Sequence, residues 1–297
     1  MKRFRNFLEL VLVVLVVLSS CKPAANKDAD VIDYESIQLD EKKKIITSSD
    51  TIGEGLPIFY NMYLSVEMSS LFETAQAVFD QDLLNKSDRA GDYITASKKA
   101  LNLGVYAVDL SYCRIFEQFE IAGRYFNSMQ KLSEELGIPS DFFVNTAKRF
   151  ERNIDNKDSL IEIANDVYMI TDSYLRENEQ FSAAAQIILG GWVEAIYIAS
   201  NVAIESKDLY IIERFADQKY SLKNLLDMLS NYSDDEVVSA YIKRLQKIDV
   251  LFSSFILNIR GELDPGSSKA RKVVNEALIK IKSIGELVNE LRQEIIE

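Results

Sequence analysis

Two apolar stretches of the chain each contain an acidic residue three positions before a tyrosine. Residues 104–112 read GVYAVDLSY and residues 190–197 read GGWVEAIY. Residues three apart share one face of a helix, and glycine, which has no side chain, allows two helices to approach closely. The pattern predicts two buried helices that face each other through Asp109 and Glu194.

A buried carboxyl group must be paired, hydrogen-bonded or protonated, and this requirement leaves three interpretations open. In the first, tyrosine hydroxyls or Arg114 and Arg124 satisfy both acids within a sealed core. In the second, the acids form the polar floor of a ligand groove. In the third, they are the paired carboxylates of a hydrolase, which in glycosidases lie about 5–9 Å apart. The residues of the candidate groove are Tyr106, Asp109, Tyr112, Trp192, Glu194 and Tyr197.

Composition excludes several classes of function. The chain has no histidine, which removes Ser-His-Asp triads, HExxH zinc enzymes and imidazole general bases. Its formal net charge of −12 does not suit nucleic acid, because binding to phosphates depends on lysine and arginine. We therefore expect a non-catalytic body that needs no cofactor and no metal.

The first 21 residues have the pattern of a lipid-attachment signal. Three basic residues among the first five precede an unbroken apolar run from Leu10 to Leu18. That run is too short to span a bilayer, which takes about 20 residues, but it suits a signal peptide. The sequence LSSC at positions 18–21 closely resembles the lipobox of bacterial lipoproteins, in which the cysteine becomes lipidated and the peptide before it is removed.

The lipobox resemblance implies how the protein is held in the cell. Residues 1–20 would be a cleaved signal peptide, and Cys21 would carry acyl chains such as palmitate. More than one chain gives a stable anchor. Residues 21–50 are polar and would form a flexible tether, so that the body stands off the membrane. The alternative is an uncleaved membrane anchor in which Cys21 is an ordinary thiol.

Residues 51–297 are predicted to form an all-helical domain. Glycine and proline are sparse, at 11 and 4 residues, and apolar residues recur at helical spacing. We expect about nine antiparallel helices in a bundle or in an array of helical hairpins like tetratricopeptide repeats. One helix should span residues 92–116, another should stop at the glycine of LGIP at 136–139, and SDDE at 233–236 has the form of a capping box. Residues 181–204 are apolar nearly all round, which indicates a core helix.

The last two predicted helices carry apolar stripes and should pair as an antiparallel hairpin over about residues 234–296. The alternative is that one stripe stays open for a partner chain. Cys113 lies in an apolar helical stretch, where we expect a buried, inert thiol. The first stripe is Val238, Tyr241, Leu245, Ile248, Phe252, Phe255 and Ile259, and the second is Val274, Ala277, Ile281, Ile284, Val288, Leu291 and Ile295.

Three stretches resemble uncharacterised all-helical lipoproteins of Bacteroidota. They are ALNLGVYAVDLSY at 100–112, EELGIP at 134–139 and GGWVE at 190–194. The resemblance implies the cell envelope, with the outer membrane as the site of anchoring, and a helical fold, but no activity. Proteins of that lineage carry O-glycans at Asp-(Ser/Thr)-aliphatic tripeptides, so Thr51 in Asp50-Thr51-Ile52 is a candidate glycosylation site. The function that we expect is a scaffold that binds another envelope protein, with a small-ligand binder as the alternative.

Overall fold

The computed structural model describes residues 77–139, 142, 145, 148–149, 152–153, 171, 173–255, 257 and 267–297. The predicted signal peptide over 1–20, the lipidation site Cys21, the tether over 21–50 and the glycosylation site Thr51 lie outside the described residues. Everything below concerns the described part of the helical body.

The described part of the chain is helical and contains no strand, which confirms the predicted fold class for these residues. Two short 3-10 helices, Gln81–Leu83 and Ser87–Gly91, come first. Within the described ranges, six α-helices have both bounds defined and pack as a bundle: α1 (Ala96–Ile115), α2 (Phe119–Glu135), α3 (Ala183–Ser206), α4 (Leu209–Ser230), α5 (Glu236–Ser253) and α6 (Ser268–Ile296).

Side-chain caps fix where several of these helices begin and end. The predicted helix over 92–116 begins later, at Ala96, because the Thr95 hydroxyl accepts a hydrogen bond from the Lys98 N–H. α2 stops where predicted, with Gly137 in the left-handed region at a φ of +82°. The predicted capping box at 233–236 is wrong. The Asp235 carboxylate stands directly before α5 and accepts from the first free N–H groups of that helix.

α3 is the central helix of the bundle and contacts α1, α4 and α6. It is long and apolar enough to cross a membrane, yet 67% of its most apolar 18-residue window is buried inside the protein. This burial by neighbouring helices agrees with the core helix that the composition of residues 181–204 predicted.

Glycines bring the backbones of α1 and α3 into contact. A Cβ atom at Gly104 would overlap the carbonyl oxygen of Ile187, and one at Gly190 would overlap that of Leu101. The contacts move toward the C-terminus of both helices together. Leu101 of α1 meets Gly190 of α3, and Asp109, further along α1, meets Glu194, further along α3. α1 and α3 are therefore parallel, which departs from the predicted all-antiparallel array.

α5 and α6 pack against each other in antiparallel directions. Arg244 near the middle of α5 pairs with Glu294 near the end of α6, and the backbone oxygen of Ser254 accepts from Lys280. The described stripe residues are buried, apart from a half-buried Val274; Ile259 lies outside the described residues. α6 also packs on α3 and α5 on α4, so the described part of neither stripe is open to a partner.

Candidate functional site

The parallel crossing of α1 and α3 places Asp109 and Glu194 next to each other inside the core. Both side chains have no solvent exposure, and Arg292 from α6, which joins them, is 4% exposed. The site therefore contains two carboxyl groups and one guanidinium group, sealed from water. We call Asp109, Glu194 and Arg292 the acid cluster.

Arg292 forms a two-pronged ion pair with Glu194. Its Nε lies 2.6 Å from Glu194 Oε2, and its Nη2 lies 2.8 Å from Oε1. The same Nη2 donates to the carbonyl oxygen of Leu83 at 2.9 Å. The guanidinium carbon also lies 4.2 Å from the centre of the Tyr197 ring, at cation–π distance. Glu194 and Arg292 thus satisfy each other with good geometry.

Asp109 is less well satisfied than Glu194. Its Oδ2 accepts a hydrogen bond from the Asn85 backbone N–H at 3.2 Å. Its Oδ1 has no donor among the described residues. The neighbouring group is the Glu194 carboxyl, and a hydrogen bond between the two acids requires a proton on one of them. Three of the four carboxyl oxygens in the acid cluster thus have a hydrogen-bond donor, and the fourth, Asp109 Oδ1, has none among the described residues.

Burial shifts the pKa values of all three groups. Burial raises the pKa of Asp109 well above its usual range, and the Glu194 charge raises it further, while Arg292 and the Asn85 N–H oppose the shift. Burial also raises the pKa of Glu194, against the opposing effect of Arg292. For Arg292, burial is the largest single effect and lowers the pKa, but the charge and the hydrogen bonds of Glu194, together with the smaller effects of Asp109 and Tyr197, outweigh it, so that the net direction of the pKa is upward. Glu194 and Arg292 are therefore the two members of the acid cluster that carry opposite charges.

A segment that contains no α-helix, residues 80–93, lies over the acid cluster, and we call it the strap. Its backbone is held by side chains of the body. The Tyr125 hydroxyl donates to the carbonyl of Asn85 at 2.7 Å, and the Tyr106 hydroxyl donates to that of Lys86 at 2.9 Å. The Tyr112 hydroxyl accepts from the Asp80 N–H at 3.1 Å. Two of the tyrosines predicted for a groove, Tyr106 and Tyr112, therefore hold the strap.

Asn85 is the centre of the strap. Besides its bond to Asp109, its side-chain amide donates to the Tyr93 hydroxyl at 2.9 Å and to Asn102 Oδ1 at 3.2 Å. Asn102 in turn donates to the carbonyl of Ile295 near the end of α6 at 2.8 Å. A buried polar network thus joins the strap, α1 and α6 around the cluster.

The remaining predicted groove residues do not form one open surface. Tyr106 and Trp192 have no exposure and Tyr112 is buried. Trp192 donates through Nε1 to Ser221 Oγ of α4 at 3.0 Å, and only Tyr197 is partly exposed. Asp109 and Glu194 meet as predicted, and all six predicted residues except Tyr197 are buried.

The basic partner of the acids differs from the one predicted. Arg124 pairs with Glu120 on the surface of α2 at 2.7 Å, and Arg114 is exposed. Arg292, which sequence reasoning missed, is the partner instead. The clue lay in its position, four residues after Val288 and three before Ile295, on the buried side of α6. A basic residue at a core position needs a buried acid.

Other reactive groups give no further candidate site. Within the described ranges, no group of three or more His, Cys, Asp and Glu side chains could hold a metal ion. Cys113 is a free, buried cysteine as predicted, and burial, together with the Asp109 charge, raises the pKa of its thiol to about 12. Such a thiol is inert at physiological pH.

Comparisons with protein-family models, with curated proteins and with solved structures give no significant match to the chain.

Proposed function

We propose that the chain is a cell-envelope lipoprotein whose helical body is non-catalytic and serves as a protein-interaction or scaffold module. In this proposal residues 1–20 are removed, Cys21 is lipidated, and residues 21–50 tether the body to the outer membrane. The LSSC sequence at 18–21 supports the anchor. We also propose that residues 51–297 form one domain of about nine helices.

The observation that carries the non-catalytic proposal is the complete burial of Asp109 and Glu194. A carboxylate that acts on a substrate must be reached by it. Glu194 is already held by Arg292 through two short hydrogen bonds. Asp109 neighbours Glu194 in the same sealed site, whereas the carboxyl pair of a glycosidase must be reached by its substrate. This geometry favours a structural role over the hydrolase and over the ligand groove.

An interaction role fits the rest of the surface. Ile94, Val250 and Ile279 are 84%, 68% and 68% exposed on an otherwise acidic protein. In this proposal these side chains are available for contact with another protein. The partner class that we propose is another protein of the cell envelope.

The anchor is tested by metabolic labelling with palmitate in cells that produce wild type or Cys21→Ala. Wild type should incorporate the label and fractionate with the outer membrane, and Cys21→Ala should do neither. Cys113→Ala is the matched control, because it removes the other cysteine and should leave labelling intact. Labelling of Cys21→Ala at the wild-type level would contradict the proposal.

The small-ligand alternative is tested by thermal melts of wild type with and without an extract of envelope metabolites. The scaffold proposal predicts no shift in Tm. A shift that appears in wild type and disappears in Asp109→Asn would favour a ligand at the cluster instead.

A further inference from the structure

The acid cluster and the strap are physically linked. The Asn85 N–H bonds to Asp109, and the Leu83 carbonyl bonds to Arg292. Both strap groups thus contact the cluster directly. Asp109 and Glu194 have no exposure while the strap lies in place, so a movement of the strap is one route by which water can reach Asp109.

The number of hydrogen-bond donors in the acid cluster decides whether both of its carboxyl groups can be ionised. One guanidinium serves two carboxyl groups, and it is already engaged with both oxygens of Glu194 and with Leu83. Asp109 Oδ1 has no donor among the described residues. A proton on Asp109 removes the second negative charge and turns this acid into a donor toward Glu194.

We propose that Asp109 holds a proton shared with Glu194 and that this proton is a latch, so that the strap stays closed while the proton is bound and opens when it is lost. An ionised Asp109 would leave two adjacent negative charges with one counter-charge in a sealed site. Hydration relieves that cost. The strap is the cover whose movement requires no unfolding of an α-helix.

The groups around Asp109 indicate that it is the one acid of the cluster that changes its protonation state. The charged groups that face it are Glu194 from α3 and Arg292 from α6, which neutralise each other. From the strap, the neutral Asn85 bonds to Asp109, and the titratable Tyr93 accepts a hydrogen bond from the Asn85 side chain. The other titratable neighbours are Tyr125 from α2 and Tyr106 and Cys113 from α1, and burial raises the pKa of each, so they stay neutral at physiological pH.

One contact of the closed strap would strengthen if Asp109 lost its proton. The Asn85 N–H favours the ionised form of Asp109, because a carboxylate is a stronger acceptor than a carboxylic acid. At 3.2 Å this is a long hydrogen bond, and it stands against both burial and the adjacent Glu194 charge. The balance favours the protonated, closed state.

Hydrogen–deuterium exchange of the whole protein tests the latch from about pH 5 to about pH 9, a range that spans the pKa values of buried carboxyl groups. The rate measured for each strap amide is divided by the intrinsic exchange rate of that amide at the same pH, which removes the direct effect of pH on exchange. If opening exposes Asp109, the opening constant should rise about tenfold per pH unit until the folded-state pKa is passed.

Two variants make the test specific. Asp109→Asn cannot titrate at this position, so the tenfold slope should disappear. Asp88→Asn removes a carboxylate from an exposed position of the strap and should keep the slope. A strap whose corrected exchange is independent of pH in wild type would overturn the latch. An equal slope in Asp109→Asn, or opening of the end of α6 instead of the strap, would also overturn it.

Infrared spectroscopy of wild type keeps the proposal testable even if Asp109→Asn does not fold. A protonated carboxyl group has a C=O stretch that a carboxylate lacks. This band should be present at the acidic end of the pH range and should be lost as pH rises through the folded-state pKa of Asp109, where the opening constant of the strap stops rising. Its absence at the acidic end of the range would overturn the proposal.

The latch itself does not depend on the proposed membrane anchor, but one consequence does. The strap lies between the N-terminal part of the chain and α1. If that part is a membrane tether, an open strap lengthens the connection between membrane and body. If wild type does not incorporate palmitate but the exchange and infrared experiments give the expected results, this consequence is withdrawn and the latch is unaffected.

Discussion

Arg292 and Glu194 are 98 positions apart in the chain and form a two-pronged ion pair in the centre of the fold. The pair joins the last helix to the central helix, and the third bond of Arg292, to Leu83, extends the link to the strap. Buried ion pairs of this kind add little net stability compared with apolar packing, but loss of one partner leaves an uncompensated charge. The pair therefore matters most as a constraint on which packing is allowed.

The glycines at the crossing of α1 and α3 should not tolerate a methyl group. Gly104→Ala and Gly190→Ala would each place a Cβ atom against a backbone carbonyl oxygen, at a cost of at least about 1–3 kcal/mol in the free energy of unfolding. Gly123→Ala is the control, since nothing lies within 4 Å of the place that its Cβ atom would take on α2, and alanine should stabilise that helix by about 0.5–1 kcal/mol. Urea denaturation measures all three. Similar effects at the three sites would contradict the close crossing.

Asp109 and Glu194 should respond differently to loss of their charge. Glu194→Gln leaves the Arg292 guanidinium without a counter-charge and should cost about 3–5 kcal/mol. Asp109→Asn replaces one neutral group by another that can still donate to Glu194, and it should cost no more than about 1.5 kcal/mol. Glu120→Gln, at an exposed ion pair on α2, should change stability by less than about 1 kcal/mol. A larger cost for Asp109→Asn than for Glu194→Gln in denaturation at neutral pH would show that the charges are assigned the wrong way round.

The helices were largely predictable because their signals are local. The apolar stripes of α5 and α6 identified buried residues such as Leu245 and Ile284, and the apolar surface of α3 identified the core helix. The stop at Gly137 followed from the conformational freedom of glycine. Each of these features depends on residues within a few positions of one another.

The site was only half predictable because its remaining contacts are long-range. The spacing within 104–112 and 190–197 indicated that Asp109 and Glu194 face each other, but the choice of Arg292 over Arg114 and Arg124 depends on where α6 packs. The strap has no apolar period from which its path could be predicted. Its conformation is imposed by hydroxyl groups of the body, including those of Tyr106 and Tyr125.

Stability should depend on pH through Asp109. Its pKa is raised in the folded state, so above the ordinary carboxyl range, about pH 4, the folded protein binds more protons than the unfolded chain. The free energy of unfolding should therefore fall as pH rises and level off above the folded-state pKa. The difference in stability between wild type and Asp109→Asn isolates this contribution and should fall by up to about 1.4 kcal/mol per pH unit. Urea curves that give a constant or rising difference would contradict the raised pKa.

The Cys113 thiol should react only when the protein unfolds. It has no exposure, and its pKa is raised to about 12. In a Cys21→Ser protein Cys113 is the sole cysteine, so reaction with a thiol reagent can be followed without a second signal. The rate at neutral pH should be slow in buffer and should rise with urea in parallel with unfolding. Rapid reaction of the native protein would contradict the burial of Cys113 on α1.

The central claim is that the buried Arg292 and Glu194 side chains depend on each other for their charge balance, and a double-mutant cycle on the two residues tests it most directly. The free energy of unfolding is measured for wild type, Arg292→Ala, Glu194→Ala and the double variant. The exposed pair Arg244 and Glu294, which joins α5 to the same helix α6, provides a matched cycle. We predict that each single change in the buried pair costs about 3–5 kcal/mol and that the double variant costs much less than the sum. The exposed pair should show a coupling of about 0–1 kcal/mol. Additive costs at the buried pair, with no more coupling than at the exposed pair, would contradict the claim.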